Sequence, residues 1–168
     1  MKNNKTTRLI LIALMSSISL ALYGIETFIP PLVPLPGVKI GLANVVTLVC
    51  MYVLNVRASF VVLLVRIALS SILFGQPVSF LFSLSGGVLS FCTMALLKRY
   101  TDESNIWALS VFGSFAHNLG QIIAAVIITG ELSVAYYFLF LIISSVITGV
   151  CTGACAQAAI KKLKKLHI

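Results

Sequence analysis

The sequence predicts an all-α integral membrane protein, a bundle of six transmembrane helices with both termini in the cytoplasm. Of its 168 residues, 60% are hydrophobic and only 10% are charged, whereas a soluble domain has roughly a quarter charged residues. Six apolar segments are separated by short breaks containing polar residues, proline or glycine. Polar side chains are too few to cover a water-exposed surface, so lipid is predicted to be the main solvent.

The spans follow from these segments and breaks. The first resembles a signal peptide, but no small-x-small cleavage site precedes a soluble domain, so it is predicted to be a retained helix. The second follows a proline-rich stretch, which excludes a helix until about Val38. The sixth exceeds the ~20 residues that a bilayer requires and should tilt or project. The predicted spans are about 9–29, 38–54, 58–74, 78–97, 106–129 and 132–160, in a single domain over 1–168.

The basic residues predict the orientation. The net charge is +8, but the cations lie at the ends of apolar segments, which argues for membrane topology and against nucleic acid. With six spans, the side of the termini holds ten of the twelve Lys and Arg residues: Lys2, Lys5, Arg8, Arg57, Lys98, Arg99, Lys161, Lys162, Lys164 and Lys165. The excess of positive charge places the termini in the cytoplasm and the 30–38 loop outside.

The 30–38 loop is interpreted as a lid over a binding site. It is stiff and uncharged, and it leads to Lys39 and then to Asn44 in the next apolar segment. Lys39 could equally pair with Glu26, at a similar depth in the first span. Tyr23 and Phe28, near the same end, are typical of interface anchors.

Two polar features lie within the spans. Arg66 is near the middle of the third, where an arginine costs at least ~2.5–3.5 kcal/mol and requires a partner or a wet cavity. His117, Asn118 and Gln121 are predicted to share one stripe of the fifth span with Ser114. Two roles fit these features. One is ligand binding. The other is structural, with Arg66 as a packing cation and the stripe making interhelical hydrogen bonds. One shared cavity below the lid is expected.

Catalysis and metal binding are not predicted. The four acidic residues form no aspartate-rich motif that could hold magnesium on a diphosphate, and no nucleotide-binding loop is present. No Ser/His/Asp or Cys/His arrangement stands out. The chain is therefore not expected to be an enzyme, and no cofactor is expected.

Four stretches carry a family resemblance over about residues 8–158: PGVKIGLANVVTL, LLVRIALSSILFG, FLFSLSGGVLS and GSFAHNLGQ. They resemble the bacterial family labelled Gx transporter or heptaprenyl diphosphate synthase component I. That family is similar in size and topology to the substrate-binding (S) components of energy-coupling factor (ECF) transporters. The resemblance implies a multi-pass protein of the bacterial plasma membrane, a lid between the first two spans, and a partner set of one transmembrane coupling subunit and two ATPases.

The first span also matches the docking pattern of S components. These dock their coupling subunit through small residues at every fourth position, here Ala13, Ser17 and Ala21, with serine replacing one of the usual alanines. Packing within the chain would produce the same spacing.

Three functions follow as hypotheses. The first is an ECF-type binding subunit for uptake of a small nutrient or cofactor, with a flavin or a quinone or isoprenoid precursor as suggested substrates. The second is a non-catalytic membrane subunit of a prenyl diphosphate synthase or redox system that binds a lipid-like substrate. The third is a structural subunit without a ligand. The predicted substrate-binding residues are Lys39, Asn44, Arg66, His117, Asn118 and Gln121.

Overall fold

The structure is a computed structural model that describes residues 5–29, 41–74 and 77–165. Every regular element in these ranges is helical, which confirms the all-α prediction. Lys39 and the 30–38 loop lie outside the described residues, as does Lys2. The α-helices are α1 (Lys5–Glu26), α2 (Asn44–Val53), α3 (Val56–Phe74), α4 (Pro77–Leu97), α5 (Ile106–Thr129) and α6 (Phe138–Lys165).

Five of these helices are long and apolar enough to cross a membrane, and α2 is the exception. The prediction of a span over 38–54 is therefore corrected within its described part. The helix begins at Asn44 and has only 10 residues. Gly41 has a φ of 87°, a left-handed conformation that an α-helix excludes. The side of the membrane on which the termini lie, and the single domain, stay predictions.

Local signals explain several other helix ends. Pro77 opens α4, where its missing N–H costs no helical hydrogen bond. The Asn55 side-chain oxygen accepts a hydrogen bond of 2.7 Å from the Ala58 N–H in the first turn of α3. Gly130 closes α5 in the left-handed conformation, with φ 71°. The sixth predicted span divides into a 3₁₀ segment, Leu132–Tyr137, and α6.

The short helix α2 lies inside the bundle. It contacts α1, α3, α4 and α6, while α4 packs on α5 and α5 packs on α6. Its residues 46–51 are all buried, and Leu48 and Met51 join one core cluster with Leu63 and Ile67 of α3. Large apolar side chains such as Ile72, Ile127 and Phe140 are more than two-thirds exposed, as expected for a surface that faces lipid.

Polar contacts gather several chain segments at one end of the bundle. Arg8 of α1 donates to the Asn55 side chain over 3.3 Å, and Lys98 donates to the Met51 carbonyl at the end of α2. Near the end of α6, Lys164 pairs with Glu103. The start of α1, the 54–56 turn, the 98–105 connection and the end of α6 therefore lie together. We call this the basic end.

Candidate functional site

His117 is buried where α5 meets α2 and α4. Its imidazole Nδ1 lies 3.2 Å from the Asn44 amide nitrogen, and only 4% of the residue is exposed. Two glycines make this approach possible. A Cβ at Gly41 would lie 3.1 Å from His117 Nε2, and one at Gly86 would lie 2.9 Å from Nδ1. The polar side chain thus reaches its place because two neighbouring backbones carry no side chain there.

Arg66 lies beside this histidine. It is 3% exposed, and it interacts electrostatically with His117 and with Glu26 of α1. Its guanidinium carbon lies 5.9 Å from the centre of the Tyr23 ring, within cation–π range. A Cβ at Gly87 would lie 3.5 Å from Arg66 Nη2. The pair Gly86–Gly87 therefore faces His117 with one residue and Arg66 with the next.

Four buried polar atoms of Arg66, His117 and Gln121 have no hydrogen-bond partner in the described structure. They are Nε and Nη2 of Arg66, Nε2 of His117 and Oε1 of Gln121, which lies one turn beyond His117 on α5. Buried polar groups are normally satisfied, and each exception requires an explanation. Together they offer two charged donors, one amide oxygen and one imidazole nitrogen. This set suits a ligand with anionic or carbonyl oxygens. We call Arg66, His117 and Gln121, together with the half-buried Asn44, the buried polar cluster.

Asn118 lies apart from the buried polar cluster. Its amide donates to the Leu141 carbonyl over 3.1 Å and to the Ser145 hydroxyl over 2.9 Å, both on α6. The structure therefore does not place His117, Asn118 and Gln121 on one stripe. One residue corresponds to about 100° around a helix, so Asn118 faces α6 while His117 faces α2 and α4.

The outer end of α1 contributes two residues to this region. Tyr23 is 3% exposed, so its interpretation as an interface anchor is wrong, whereas Phe28 is 88% exposed. Glu26 is also buried and accepts a hydrogen bond from the Gly41 N–H. The pairing of Glu26 with Lys39 stays a prediction, because Lys39 is outside the described residues. The three-residue spacing of Tyr23 and Glu26 was the available signal that both face inward.

The predicted docking residues form an exposed ridge. Ala13, Ser17 and Ala21 are all exposed on α1, and the Ser17 hydroxyl donates to the Ala13 carbonyl over 3.0 Å. The hydroxyl of the serine is thus satisfied by its own helix. We call these three residues the α1 ridge.

The structure shows no metal centre in the described ranges. Nowhere in them do three or more His, Cys, Asp or Glu side chains form a group that could hold a metal ion.

Comparison with known proteins completes the description. No curated protein matches the chain, and no solved structure matches it. The family model for heptaprenyl diphosphate synthase component I matches residues 15–159, which include all six α-helices in whole or in part. The chain therefore belongs to the heptaprenyl diphosphate synthase component I family.

Proposed function

We propose that this chain is a non-catalytic membrane subunit that binds a lipid-like substrate for a catalytic partner, in a prenyl diphosphate synthase or a related redox system. The observation that carries the proposal is Arg66, which is 3% exposed and has two donor atoms without a hydrogen-bond partner among the described residues. A charged side chain inside a membrane bundle is costly, and for this reason it marks a functional site by default. A bound anionic or carbonyl group would satisfy it.

The other members of the buried polar cluster support this ligand chemistry. His117 presents an unused ring nitrogen, and Gln121, one turn further along α5, presents an unused acceptor oxygen. The cluster can therefore receive a polar head that carries both acceptor oxygens and a donor hydrogen. The family's description refers to one component of an enzyme that forms a prenyl diphosphate, and so implies at least one further component. The catalytic residues would then belong to the partner component.

The deciding experiment identifies the ligand. The protein is purified in mild detergent, and the small molecules that co-purify are identified by mass spectrometry, with prenyl diphosphates, prenylated quinone precursors and flavins as standards. We expect a prenyl compound that is retained by the unmodified protein and lost by Arg66→Met. Equal retention by the two proteins would contradict the role of the buried polar cluster.

The α1 ridge favours a second candidate function, the binding subunit of an ECF-type transporter. Three small exposed residues in line on one helix suit close docking of another transmembrane helix, such as that of a coupling subunit driven by ATPases. Vesicles containing this chain with and without a coupling module would separate the two functions. ATP-dependent uptake of the co-purified ligand would favour transport, and ligand-stimulated synthase activity of a catalytic partner would favour the first proposal.

A further inference from the structure

A long apolar groove runs along the outside of the α4–α5 pair. Its volume is about 670 Å³, which lies within the ~300–1,000 Å³ range of small-molecule sites. The Ser85 hydroxyl in its wall donates to the Leu81 carbonyl over 2.8 Å, so it is satisfied by its own helix. Residues that represent its walls are Leu81, Ser85, Val88 and Cys92 on α4 and Gly120 and Ile127 on α5.

The groove follows the length of the helix pair, as a hydrocarbon chain in a bilayer does. From Leu81 to Cys92, α4 rises about 16 Å, so the groove is elongated along the helices and therefore along the chains of the bilayer. The two helices touch in the groove's middle, because a Cβ at Gly120 would lie 2.6 Å from the Ser85 carbonyl oxygen.

A cation lies in line with one end of the groove. Leu81, Ser85, Val88 and Cys92 follow one face of α4 at intervals of three and four residues. The same face continues through Leu96, which is 60% exposed, to Arg99, which is exposed in the 3₁₀ turn that ends α4. Arg99 belongs to the basic end, at the boundary of the apolar region. A chain in the groove would place its head group there.

We propose that the α4–α5 groove is a second binding site, separate from the buried polar cluster, for a single-chain isoprenoid diphosphate whose anionic head lies at Arg99. The charge of Arg99 at the end of the groove selects an occupant with an anionic head over a neutral lipid. The isoprenoid identity of the chain rests on the proposed synthase function, whereas the groove and the arginine do not depend on it. The site would hold a long-chain product where a soluble partner at the basic end could release it.

The test uses the full chain in nanodiscs of phosphatidylcholine and a heptaprenyl diphosphate probe with a photoreactive diazirine in its chain. We expect crosslinks on residues 81–92 and 120–128. Val88→Trp should lower probe affinity about tenfold because the indole fills the groove, and Ile127→Trp at the exposed rim serves as a second variant. Arg99→Gln should lower it by a similar factor, because a charge-assisted hydrogen bond is lost. The matched controls are Ile143→Trp on α6 and Arg57→Gln, which are both exposed.

Each outcome decides the proposal. Crosslinks in the groove with losses confined to the Val88, Ile127 and Arg99 variants support it. Crosslinks elsewhere, no probe binding, or equal displacement by phosphatidylglycerol overturn it, since the last would mark an ordinary boundary lipid. Probe binding that requires Arg66 but not Val88 or Arg99 overturns the groove and keeps the proposed function. Groove binding combined with ligand retention by Arg66→Met supports the groove and contradicts the proposed function of the buried polar cluster.

Discussion

The side-chain amide of Asn44, in the first turn of α2, lies 3.2 Å from Nδ1 of His117 in the middle of α5. The two residues are 73 positions apart in the chain. Their contact joins the short inner helix to the polar face of α5, beside the buried Arg66. A ligand that binds this region would therefore contact three helices at once, and changes at any of them should alter its affinity.

Arg66 should dominate ligand affinity. We expect Arg66→Met to weaken binding of the co-purified ligand by at least about tenfold, because a hydrogen bond to a charged group contributes roughly 1.5–3 kcal/mol. Calorimetric titration of protein in detergent measures this loss. The variant must first elute from gel filtration at the same position as the unmodified protein. A correctly folded variant with unchanged affinity would refute the role of Arg66 in binding.

Gln121 and Asn118 form a matched pair on α5. Gln121→Leu should weaken ligand binding by about 1 kcal/mol, the contribution of a neutral hydrogen bond. Asn118→Leu should leave ligand binding unchanged. It should lower the free energy of unfolding by about 0.6–1.7 kcal/mol, because the Asn118 amide donates hydrogen bonds to α6. Titration and thermal unfolding of both variants provide the measurements. The reversed result would place the ligand between α5 and α6.

The close contact of α4 and α5 should not tolerate a methyl group. In Gly120→Ala the added carbon would lie 2.6 Å from the Ser85 carbonyl oxygen, and overpacking of this kind costs about 1–3 kcal/mol. Gly24→Ala is the control, because among the described residues its added carbon would meet only the ring of Phe74, at 3.2 Å, and that ring can move. Thermal unfolding in detergent compares them. Equal stability of the two variants would show that α4 and α5 can separate without cost.

The α1 ridge should act on a partner and not on the ligand. Ala13→Trp and Ser17→Trp are expected to abolish assembly with a transmembrane partner and to leave ligand affinity unchanged, because both residues are exposed and on the outer face of α1. Co-purification of the partner and ligand titration measure the two effects. Ile147→Trp, 61% exposed on α6, controls for the added bulk. Lost ligand binding would instead assign the ridge a role in folding.

The orientation in the membrane can be tested by labelling single cysteines. With both termini in the cytoplasm, a cysteine at Leu35 should react with an impermeant maleimide in intact cells, and one at Thr101 only after permeabilisation. The physical reason is the excess of positive charge in the segments that share a side with Thr101. The native cysteines are first replaced by alanine. Reactivity in the opposite order would invert the topology.

The sequence predicted what depends on composition and local chemistry. The α5 helix covers the predicted range 106–129, because an apolar run and a closing glycine are local signals. Arg66 was a candidate functional residue from its position within an apolar run, and it is buried beside His117 and Tyr23. A charged residue within an apolar membrane segment has to face the inside of the bundle in any arrangement of the helices. The prediction therefore did not depend on that arrangement.

By itself, then, the sequence determined that the chain is helical and apolar enough for a membrane. It also marked Arg66, His117 and Gln121 as polar residues within apolar segments, and all three are buried. Only the tertiary structure decided which neighbours these residues face. Helical periodicity gives the angle between Asn118 and Gln121 but not the helix that lies against each. The burial of Tyr23 and the short length of α2 depend on contacts between distant segments, such as Glu26 with Gly41. Such contacts form between surfaces that are far apart in the chain, and no local pattern encodes them.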